Sequence, residues 1–177
     1  MELRLSEIFY SLQGEARTVG CPTVFVRLTG CPQRCVWCDT EYAFSGGEKW
    51  TLDKVLDQVA GYQARYVTVT GGEPLAQPNC LPLLNRLCDA GYQVSLETGG
   101  AMDIAGVDPR VSVVMDLKAP GSGEQHNNRL ENIPLLQAHH QVKFVIHVII
   151  AVNSGSQVLN IACYQVKIKR VGCSGRR

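Results

Sequence analysis

The sequence predicts an α/β fold built on a parallel sheet. Two observations support this: strand-like runs of β-branched and aromatic residues alternate with helical patterns, and the loops with chemically suggestive residues follow the strands. Crossovers between parallel strands are right-handed, and ligand sites in such sheets and barrels lie at the carboxyl ends of the strands. We therefore expect one functional site on a shared rim of the sheet.

The strands are predicted from short runs rich in Val, Thr, Phe and Tyr. The clearest is Thr-Val-Phe-Val-Arg-Leu at residues 23–28, which is typical of a buried strand and ends at Thr29-Gly30. Apolar residues recur more loosely at 3–10. The remaining predicted strands are residues 65–70, 92–97, 111–116 and 141–150.

Helices are predicted between these strands. Thr51 can cap a helix whose apolar residues follow helical spacing and which ends at Gly61. A second helix is expected over 81–90, with Pro82 in its first turn. A third, weaker helical pattern covers residues 130–138.

Composition indicates the class of protein and of partner. The chain has 177 residues, 45% hydrophobic and 19% charged, with a net charge of +1, which fits one globular domain. This charge gives no basic patch for nucleic acid or a membrane surface, so a small-molecule partner is expected. With neither a secretion signal nor a run of about 20 apolar residues, a cytoplasmic location is predicted, in which cysteines stay reduced.

Three cysteines in one loop are the main functional signal. Cys31, Cys35 and Cys38 are separated by three and then two residues, directly after the strand at 23–28. Three ligands leave one coordination position open, as in catalytic zinc sites or a four-iron cluster with one free iron. A zinc site completed by Cys21 or Cys88, or a disulfide framework, are the alternatives. The absence of a second closely spaced Cys or Cys/His pair favours the iron–sulfur cluster.

Loops after the later strands carry further candidates. Gly71-Gly72-Glu73-Pro74 offers a backbone that a ligand can approach closely and a carboxylate that can accept from an ammonium group. Alone, such a segment is more often a turn. Glu97-Thr98 points to the same rim, although a lone Glu at a strand end is usually solvated.

These motifs resemble the radical S-adenosylmethionine (SAM) superfamily, which shares the cysteine spacing and the Gly-Gly-Glu motif. The resemblance implies that Cys31, Cys35 and Cys38 bind a [4Fe-4S] cluster whose open iron chelates SAM, and that reductive cleavage yields a 5′-deoxyadenosyl radical. Phe-Tyr-Ser-Leu-Gln-Gly-Glu at 9–15, Gly-Cys-Pro at 20–22, Phe-Val-Arg-Leu at 25–28 and Cys-Asp-Thr at 38–40 resemble the 7-carboxy-7-deazaguanine synthase family.

This narrower resemblance implies a shortened, partial (β/α) barrel over residues 1–146. It also implies a carbon–nitrogen lyase that converts 6-carboxy-5,6,7,8-tetrahydropterin into 7-carboxy-7-deazaguanine with release of ammonia. That reaction belongs to the biosynthesis of queuosine, a tRNA modification, and of related 7-deazapurines. The implied partners are the pterin, an electron donor such as flavodoxin and a second copy in a homodimer, with no nucleic acid and no membrane.

The resemblance also implies roles for individual residues, although it assigns no catalytic residue. The implied substrate contacts are Leu12, Gln13, Gly14, Glu15, Arg27 and Thr70. The implied SAM contacts are Trp37, Cys38, Asp39, Gly72, Glu73, Asp116, Leu117, Lys118, Gln141 and Lys143. Arg27 would pair with the substrate carboxylate; otherwise it would form an ordinary ion pair on a strand face.

Thr40 is expected to contribute its hydroxyl to a Mg²⁺ site that also engages the substrate carboxylate. Magnesium binds few protein oxygens and keeps waters or substrate oxygens, so one hydroxyl ligand is reasonable. Considered without the family, Thr40 would be a turn residue or a helix cap.

Residues 147–177 depart from the family pattern. We interpret them as a divergent carboxyl-terminal tail of the same domain, with strand-like runs but no helical period, produced by a frame shift or an altered terminus. If the tail abolishes turnover, the chain would be a non-catalytic metal-binding module. Another small radical enzyme, such as a glycyl-radical activase, is the other alternative, but it has no reason to carry Gln13, Arg27 and Thr40.

Overall fold

The computed structural model describes residues 1–152 and 155–167, with side chains over residues 1–145. One eight-stranded sheet runs through the molecule in the order β3-β1-β2-β4-β5-β6-β7-β8. Its strands are β1 (Glu2–Leu12), β2 (Pro22–Leu28), β3 (Glu48–Thr51), β4 (Tyr66–Gly71), β5 (Gln93–Thr98), β6 (Ser112–Asp116), β7 (Gln141–Val152) and β8 (Gly155–Lys167).

The centre of the sheet is parallel and its edges are antiparallel. Strands β2, β4, β5, β6 and β7 pair in parallel, whereas β1 and β3 at one edge and β8 at the other pair antiparallel. The parallel centre brings the carboxyl ends of β2, β4, β5 and β6 to one rim. The predicted α/β partial barrel is confirmed, and β3 is an edge strand that the sequence pattern did not predict.

Two α-helices are present in the described part of the chain, α1 (Leu52–Gly61) and α2 (Cys80–Asp89). The Thr51 hydroxyl accepts from the Lys54 N–H at 3.2 Å, which satisfies one of the free donors at the start of α1. Both helices bury their apolar residues in the main core beside the sheet; this core includes Val55, Val59, Leu83 and Leu87. Their existence and approximate bounds agree with the prediction.

The third predicted helix, over residues 130–138, is wrong. The segment forms a 3₁₀-helix over Leu130–Leu135, and Pro134 lies inside it. Proline lacks the N–H that an α-helix needs at an interior position and its ring clashes with the preceding turn. Leu130, Ile133 and Leu135 remain exposed, and only Leu136, just after the 3₁₀-helix, packs into the core. The connections from β5 to β7 are therefore loops and 3₁₀ turns.

The predicted tail falls partly inside the described residues. Strand β7 continues beyond Ile146 and pairs antiparallel with β8, so its strand-like pattern is present in the backbone. Residues 153–154 and 168–177, including Cys173, lie outside the described residues. No helix of the described residues is long and apolar enough to cross a membrane.

Candidate active site

A cavity of about 510 Å³ lies at the predicted rim, and we call it the rim cavity. It is lined by residues from β2, β4, β5, β6 and β7, from the loops that follow them, and from the loop that follows β1. The lining residues are Gln13, Gly14, Glu15, Phe25, Arg27, Cys31, Gln33, Cys35, Cys38, Asp39, Thr40, Thr70, Gly71, Gly72, Glu97, Thr98, Gly99, Val114, Asp116, Lys118 and Lys143.

The three cysteines come together on this cavity. The cysteine loop, residues 30–38, follows β2 and places Cys31, Cys35 and Cys38 on the wall. All three are free thiols, as are the other cysteines whose side chains are described, so the disulfide alternative has no support there. Burial raises the pKa of the Cys31 and Cys35 thiols. Burial therefore disfavours the thiolate form of both side chains.

Hydrogen bonds from backbone N–H groups hold the cysteine loop at its first residue and in its middle. Its first residue, Gly30, donates its N–H to the Ala43 carbonyl at 2.8 Å. Farther along, the Arg34 N–H donates to Oε1 of Glu124 at 2.8 Å and the Val36 N–H to the Ser122 carbonyl at 2.9 Å. The bond from Arg34 lowers the pKa of Glu124. The loop is thus fixed against the turn at residues 120–124.

Two glycines at the end of β4, Gly71 and Gly72, let the chain pass close to this loop. Gly71 has a φ of 138°, and a Cβ there would lie 2.0 Å from the Leu28 carbonyl oxygen. A Cβ on Gly72 would lie 2.4 Å from the Gly30 carbonyl oxygen and 2.8 Å from Cβ of Cys31. Only glycines fit between β4 and the cysteine loop, which leaves the backbone at residues 71–72 open to the cavity.

Glu73 lies beneath the rim cavity rather than on its wall. Its side chain is fully buried, and its carboxylate accepts from the Thr98 hydroxyl and from the Leu75 and Gly99 N–H groups. Burial raises the pKa of Glu73, although these hydrogen bonds oppose the rise. The carboxylate therefore links the end of β4 to the end of β5.

Polar side chains of the inner sheet surface form a network around Glu97. The Thr70 hydroxyl donates to Oε2 of Glu97 at 3.0 Å. Gln13 Nε2 lies 3.1 Å from the Thr68 hydroxyl and 3.4 Å from Oε1 of Glu97. Burial raises the pKa of Glu97. The expectation of an ordinary solvated Glu97 does not fit this environment.

Arg27 lies in β2 beside Thr70 of β4, its partner in the register of these two parallel strands. Its Nε donates to Oε1 of Glu7 at 2.8 Å, and its guanidinium lies near the Phe9 and Tyr42 rings. Within the described residues, its two terminal amino groups donate no hydrogen bond. The ion pair that the residue pattern allowed is thus present, while two donor groups stay available to a ligand.

Two lysines bring positive charge to the far wall. Lys118 Nζ donates to Oδ2 of Asp116 at 2.8 Å, and Lys143 Nζ donates to Oε1 of Glu15 at 3.0 Å. Burial alone lowers the pKa of each lysine, but neighbouring carboxylates reverse this and raise it. Both lysines are therefore held as cations on the cavity wall.

Thr40 and Asp39 are neighbouring oxygen donors on the cavity. The Thr40 hydroxyl donates to Oδ1 of Asp39 at 2.8 Å. Although Thr40 precedes the 3₁₀-helix Glu41–Ala43, its side chain makes no capping hydrogen bond. The helix-cap alternative thus does not describe this hydroxyl.

Most of the site residues named from the sequence lie on the cavity wall, but some do not. Leu12 is 63% exposed near the end of β1, and Gln141 is buried in β7. Trp37 packs against Gly121, where a Cβ would lie 2.7 Å from its ring. The predicted residues outside the wall are Leu12, Trp37, Glu73, Leu117 and Gln141.

The wall also includes Gln33, Glu97 and Gly99, none of which was assigned a ligand from the sequence, although Glu97 was expected at this rim as a solvated carboxylate. Gln33 lies two positions from both Cys31 and Cys35, and that proximity was the available signal. Gly99 follows β5 at the same rim as Gly72, so the topology could have suggested it.

The zinc alternative is not supported by the geometry. No group of three or more His, Cys, Asp or Glu side chains in the described region converges so as to hold a single metal ion. Neither Cys21 nor Cys88 lines the cavity. In a four-iron cluster each thiolate binds a different iron, so three separated thiols on one cavity fit a cluster better.

The chain is similar to known proteins over the segments that form this site. The Radical SAM superfamily model matches residues 25–153, which include the three cysteines and the Gly-Gly-Glu segment. The chain is 36% identical over 144 residues to the 7-carboxy-7-deazaguanine synthase of Thermoplasma acidophilum, covering 80% of this chain and 69% of that protein. The chain belongs to the 7-carboxy-7-deazaguanine synthase family of the radical SAM superfamily.

Other members of the family are also similar. The synthase of Koribacter versatilis is 44% identical over 146 residues, covering 81% of this chain and 65% of that protein, so the chain spans less than two thirds of its length. The crystal structure of QueE from Escherichia coli matches with a TM-score of 0.61 and 28% identity, over 70% of this chain and 68% of that chain. Membership in the superfamily implies a [4Fe-4S] cluster and SAM as cofactors.

Proposed function

We propose that the protein is a radical SAM lyase that converts 6-carboxy-5,6,7,8-tetrahydropterin into 7-carboxy-7-deazaguanine with release of ammonia. The observation that carries the proposal is that one cavity holds the three thiols together with Gln13, Arg27 and Thr70. The cysteines alone fit any radical SAM enzyme. The three polar residues add the features that the synthase family requires, and they reach the cavity from neighbouring strands.

Cys31, Cys35 and Cys38 would hold the cluster, and the open backbone at residues 71–72 would lie against SAM. When the cluster and SAM are bound, reductive cleavage of SAM supplies a 5′-deoxyadenosyl radical. The further SAM contacts that we propose on the cavity wall are Asp39, Asp116, Lys118 and Lys143, while Trp37, Glu73, Leu117 and Gln141 would act from behind it. Since Glu73 joins the ends of β4 and β5, it would hold the glycine segment in place for the cofactor.

The chain's own residues are suited to bind the pterin. The free amino groups of Arg27 can pair with the substrate carboxylate in a two-pronged contact. Glu97 retains acceptor capacity, and with Gln13 and Thr70 it offers acceptors and donors to the polar edge of the pterin ring. Gly14 and Glu15 would close this end of the pocket, and Leu12 would contribute from its exposed position at the mouth.

We further propose a Mg²⁺ ion near Thr40. Oxygen donors such as the Thr40 hydroxyl and the neighbouring Asp39 carboxylate suit this cation. Because the described side chains form no complete metal cage, most of its ligands would come from water and the substrate carboxylate. The ion would then orient the carboxylate between Thr40 and Arg27.

The remaining proposals concern the cellular location, pathway, electron donor and oligomeric state of the enzyme. We assign it to the cytoplasm, where its free cysteines stay reduced, and to queuosine biosynthesis. A flavodoxin-like protein would supply the electron, and the working form would be a homodimer. The net charge of +1 gives no footprint for nucleic acid or a membrane as partner.

We also propose that residues 147–177 are a divergent tail of the domain formed by residues 1–146. Replacing the residues after Ile146 with the terminus of a family member, and assaying both proteins, tests this interpretation. Higher activity in the chimera would support it, whereas equal activity would contradict the idea that the tail limits turnover.

The deciding experiment is anaerobic reconstitution followed by incubation with reductant, SAM and the pterin. Formation of 7-carboxy-7-deazaguanine, detected by mass, supports the proposal. SAM cleavage without this product would favour another radical enzyme such as an activase, and bound zinc without a cluster would favour a metal-binding module. Arg27→Met should raise KM for the pterin about tenfold or more, while Arg65→Met, an exposed control, should not.

A further inference from the structure

Gln33 is a buried polar side chain whose role the proposed reaction does not explain. It lies between Cys31 and Cys35, is 3% exposed and lines the rim cavity. Its backbone N–H donates to the Cys31 sulfur. Its side-chain Nε2 is buried and donates no hydrogen bond to any described residue. A buried donor without a partner is rare in native proteins and calls for an explanation such as a ligand.

The carboxamide of Gln33 is held in place. A Cβ on Gly99 would lie 2.2 Å from Oε1 of Gln33 and 3.4 Å from Oε2 of Glu73. The side chain therefore extends from the cysteine loop across to the end of β5, where it packs on the Gly99 backbone. This position leaves little freedom for Nε2 to reach another part of the protein.

The neighbouring protein acceptors do not satisfy this donor. Both oxygens of Glu73 already accept from Thr98, and they also accept from the Leu75 and Gly99 N–H groups. On the same cavity, Oδ1 of Asp116 is the complementary case, a buried acceptor without a donor among the described residues. The cavity wall thus presents an unused donor and an unused acceptor, which a zwitterionic ligand can match.

We propose that Nε2 of Gln33 donates a hydrogen bond to the carboxylate of the methionine moiety of SAM. A carboxylate oxygen accepts a short, charge-assisted hydrogen bond from an amide N–H, so this group would satisfy the Gln33 donor well. The side chain extends to Gly99 at the end of β5, on the same cavity that Gly72 lines, where the cofactor would lie. This inference rests on SAM as the cofactor in the proposed function and not on the identity of the pterin.

The test is equilibrium binding to the full chain after anaerobic cluster reconstitution, without pterin. Gln33→Met keeps the length of the side chain and removes the donor. We expect it to weaken SAM binding about tenfold, as for loss of a hydrogen bond to a charged group. Binding of decarboxylated SAM, which lacks the acceptor, should be equal in the variant and the unchanged protein. Gln58→Met, an exposed Gln on α1, is the matched control and should bind both ligands normally.

Thermal unfolding of the cofactor-free protein separates this role from a structural one. Because Gln33→Met replaces an unpaired buried amide with an apolar group, Tm should stay the same or rise. The iron content after reconstitution should also match that of the unchanged protein. A lower Tm or a loss of iron would show that the amide supports the loop itself, and would overturn the proposal.

Equal SAM affinity in Gln33→Met and the unchanged protein would overturn the inference. An equal loss of affinity for SAM and for decarboxylated SAM would also overturn it, since the amide would then not contact the carboxylate. A shifted reduction potential of the cluster in the absence of SAM would overturn it as well, because the amide would then act on the cluster. If the unchanged protein binds no SAM, both this inference and the proposed function fail. If the binding pattern is as expected but no deazaguanine forms, the proposed activity alone fails.

Discussion

Lys143 Nζ lies 3.0 Å from Oε1 of Glu15, although 128 positions separate the two residues in the chain. Glu15 follows β1 and Lys143 lies in β7, so the contact joins distant strands across the rim cavity. The two side chains are 29% and 14% exposed, respectively. This pair closes the cavity on the side where the sheet does not close into a full barrel.

Removing the lysine should therefore destabilise the protein. Lys143→Met leaves the carboxylates of Glu15 and Glu97 without their cation, and we expect a loss of about 2 kcal/mol in the free energy of unfolding. Urea denaturation measures it. The control Lys49→Met, on an exposed lysine of β3 that lies 3.9 Å from Glu2, should cost less than about 0.5 kcal/mol. Equal effects of the two variants would contradict a stabilising role of the pair.

The raised pKa of Glu97 predicts a pH dependence of stability. The native state holds this proton more tightly than the unfolded state, so the contribution of Glu97 is largest in acid and falls as the pH rises through the native-state pKa. Glu97→Gln removes this loss. The stability of the variant relative to wild type should therefore increase as the pH rises above the ordinary range of a Glu carboxyl group.

Denaturation curves of both proteins over a series of pH values provide the measurement. Glu48→Gln changes an exposed carboxylate on β3 and should follow the wild-type pH dependence. A constant difference between Glu97→Gln and wild type would show that Glu97 does not carry the effect.

The close approach of Gly72 to the cysteine loop predicts a specific defect. Gly72→Ala places a methyl group against the Gly30 carbonyl and Cβ of Cys31, so the loop must shift. We expect a loss of about 1–3 kcal/mol in stability and fewer iron atoms per chain after reconstitution. Gly61→Ala, at the end of α1 with no atom within 4 Å of the new Cβ, should raise stability by about 0.5 kcal/mol. Full iron loading of Gly72→Ala would refute the steric argument.

The hydrogen bond from Arg34 to Glu124 predicts the dynamics of the cysteine loop. Glu124→Ala removes the acceptor of the Arg34 N–H and a partner of Asn127. We expect amide hydrogen exchange in residues 31–38 to become about tenfold faster, as for loss of a hydrogen bond to a charged group. Glu131→Ala, which alters an exposed residue of the Leu130–Leu135 helix, should leave exchange in the loop unchanged. Unchanged exchange in Glu124→Ala would show that other contacts hold the loop.

The elements that the sequence predicted correctly are those encoded locally. The run at residues 23–28 signals its strand through β-branched and aromatic residues, and Thr51 signals the start of α1. The helix predicted over 130–138 is wrong because its apolar spacing resembles that of an α-helix, whereas Pro134 inside the segment prevents one from forming. Strand β3 was missed because its short segment pairs with β1 from a distance and has little pattern of its own.

The site divides in the same way. The cysteine loop and the glycines are sequence motifs, so their place on one rim followed from the topology. Buried Glu97 and Glu73 have Thr70, Thr98 and Gly99 as hydrogen-bond partners. Most of these partners come from another strand or loop, so the sequence around each glutamate does not reveal them. The pairing of Glu15 with Lys143 likewise depends on the way the sheet curves.

The anchoring of the cysteine loop has a consequence for assembly of the enzyme. Hydrogen bonds to Ala43, Ser122 and Glu124 connect the loop to the rest of the protein through groups that are not cluster ligands. Incorporation of the cluster then requires little ordering of the chain, unlike in small zinc domains that fold only when metal binds. We therefore expect the cluster to enter a loop whose path the protein already fixes, and we expect protein stripped of its iron to take up a cluster again without first being unfolded.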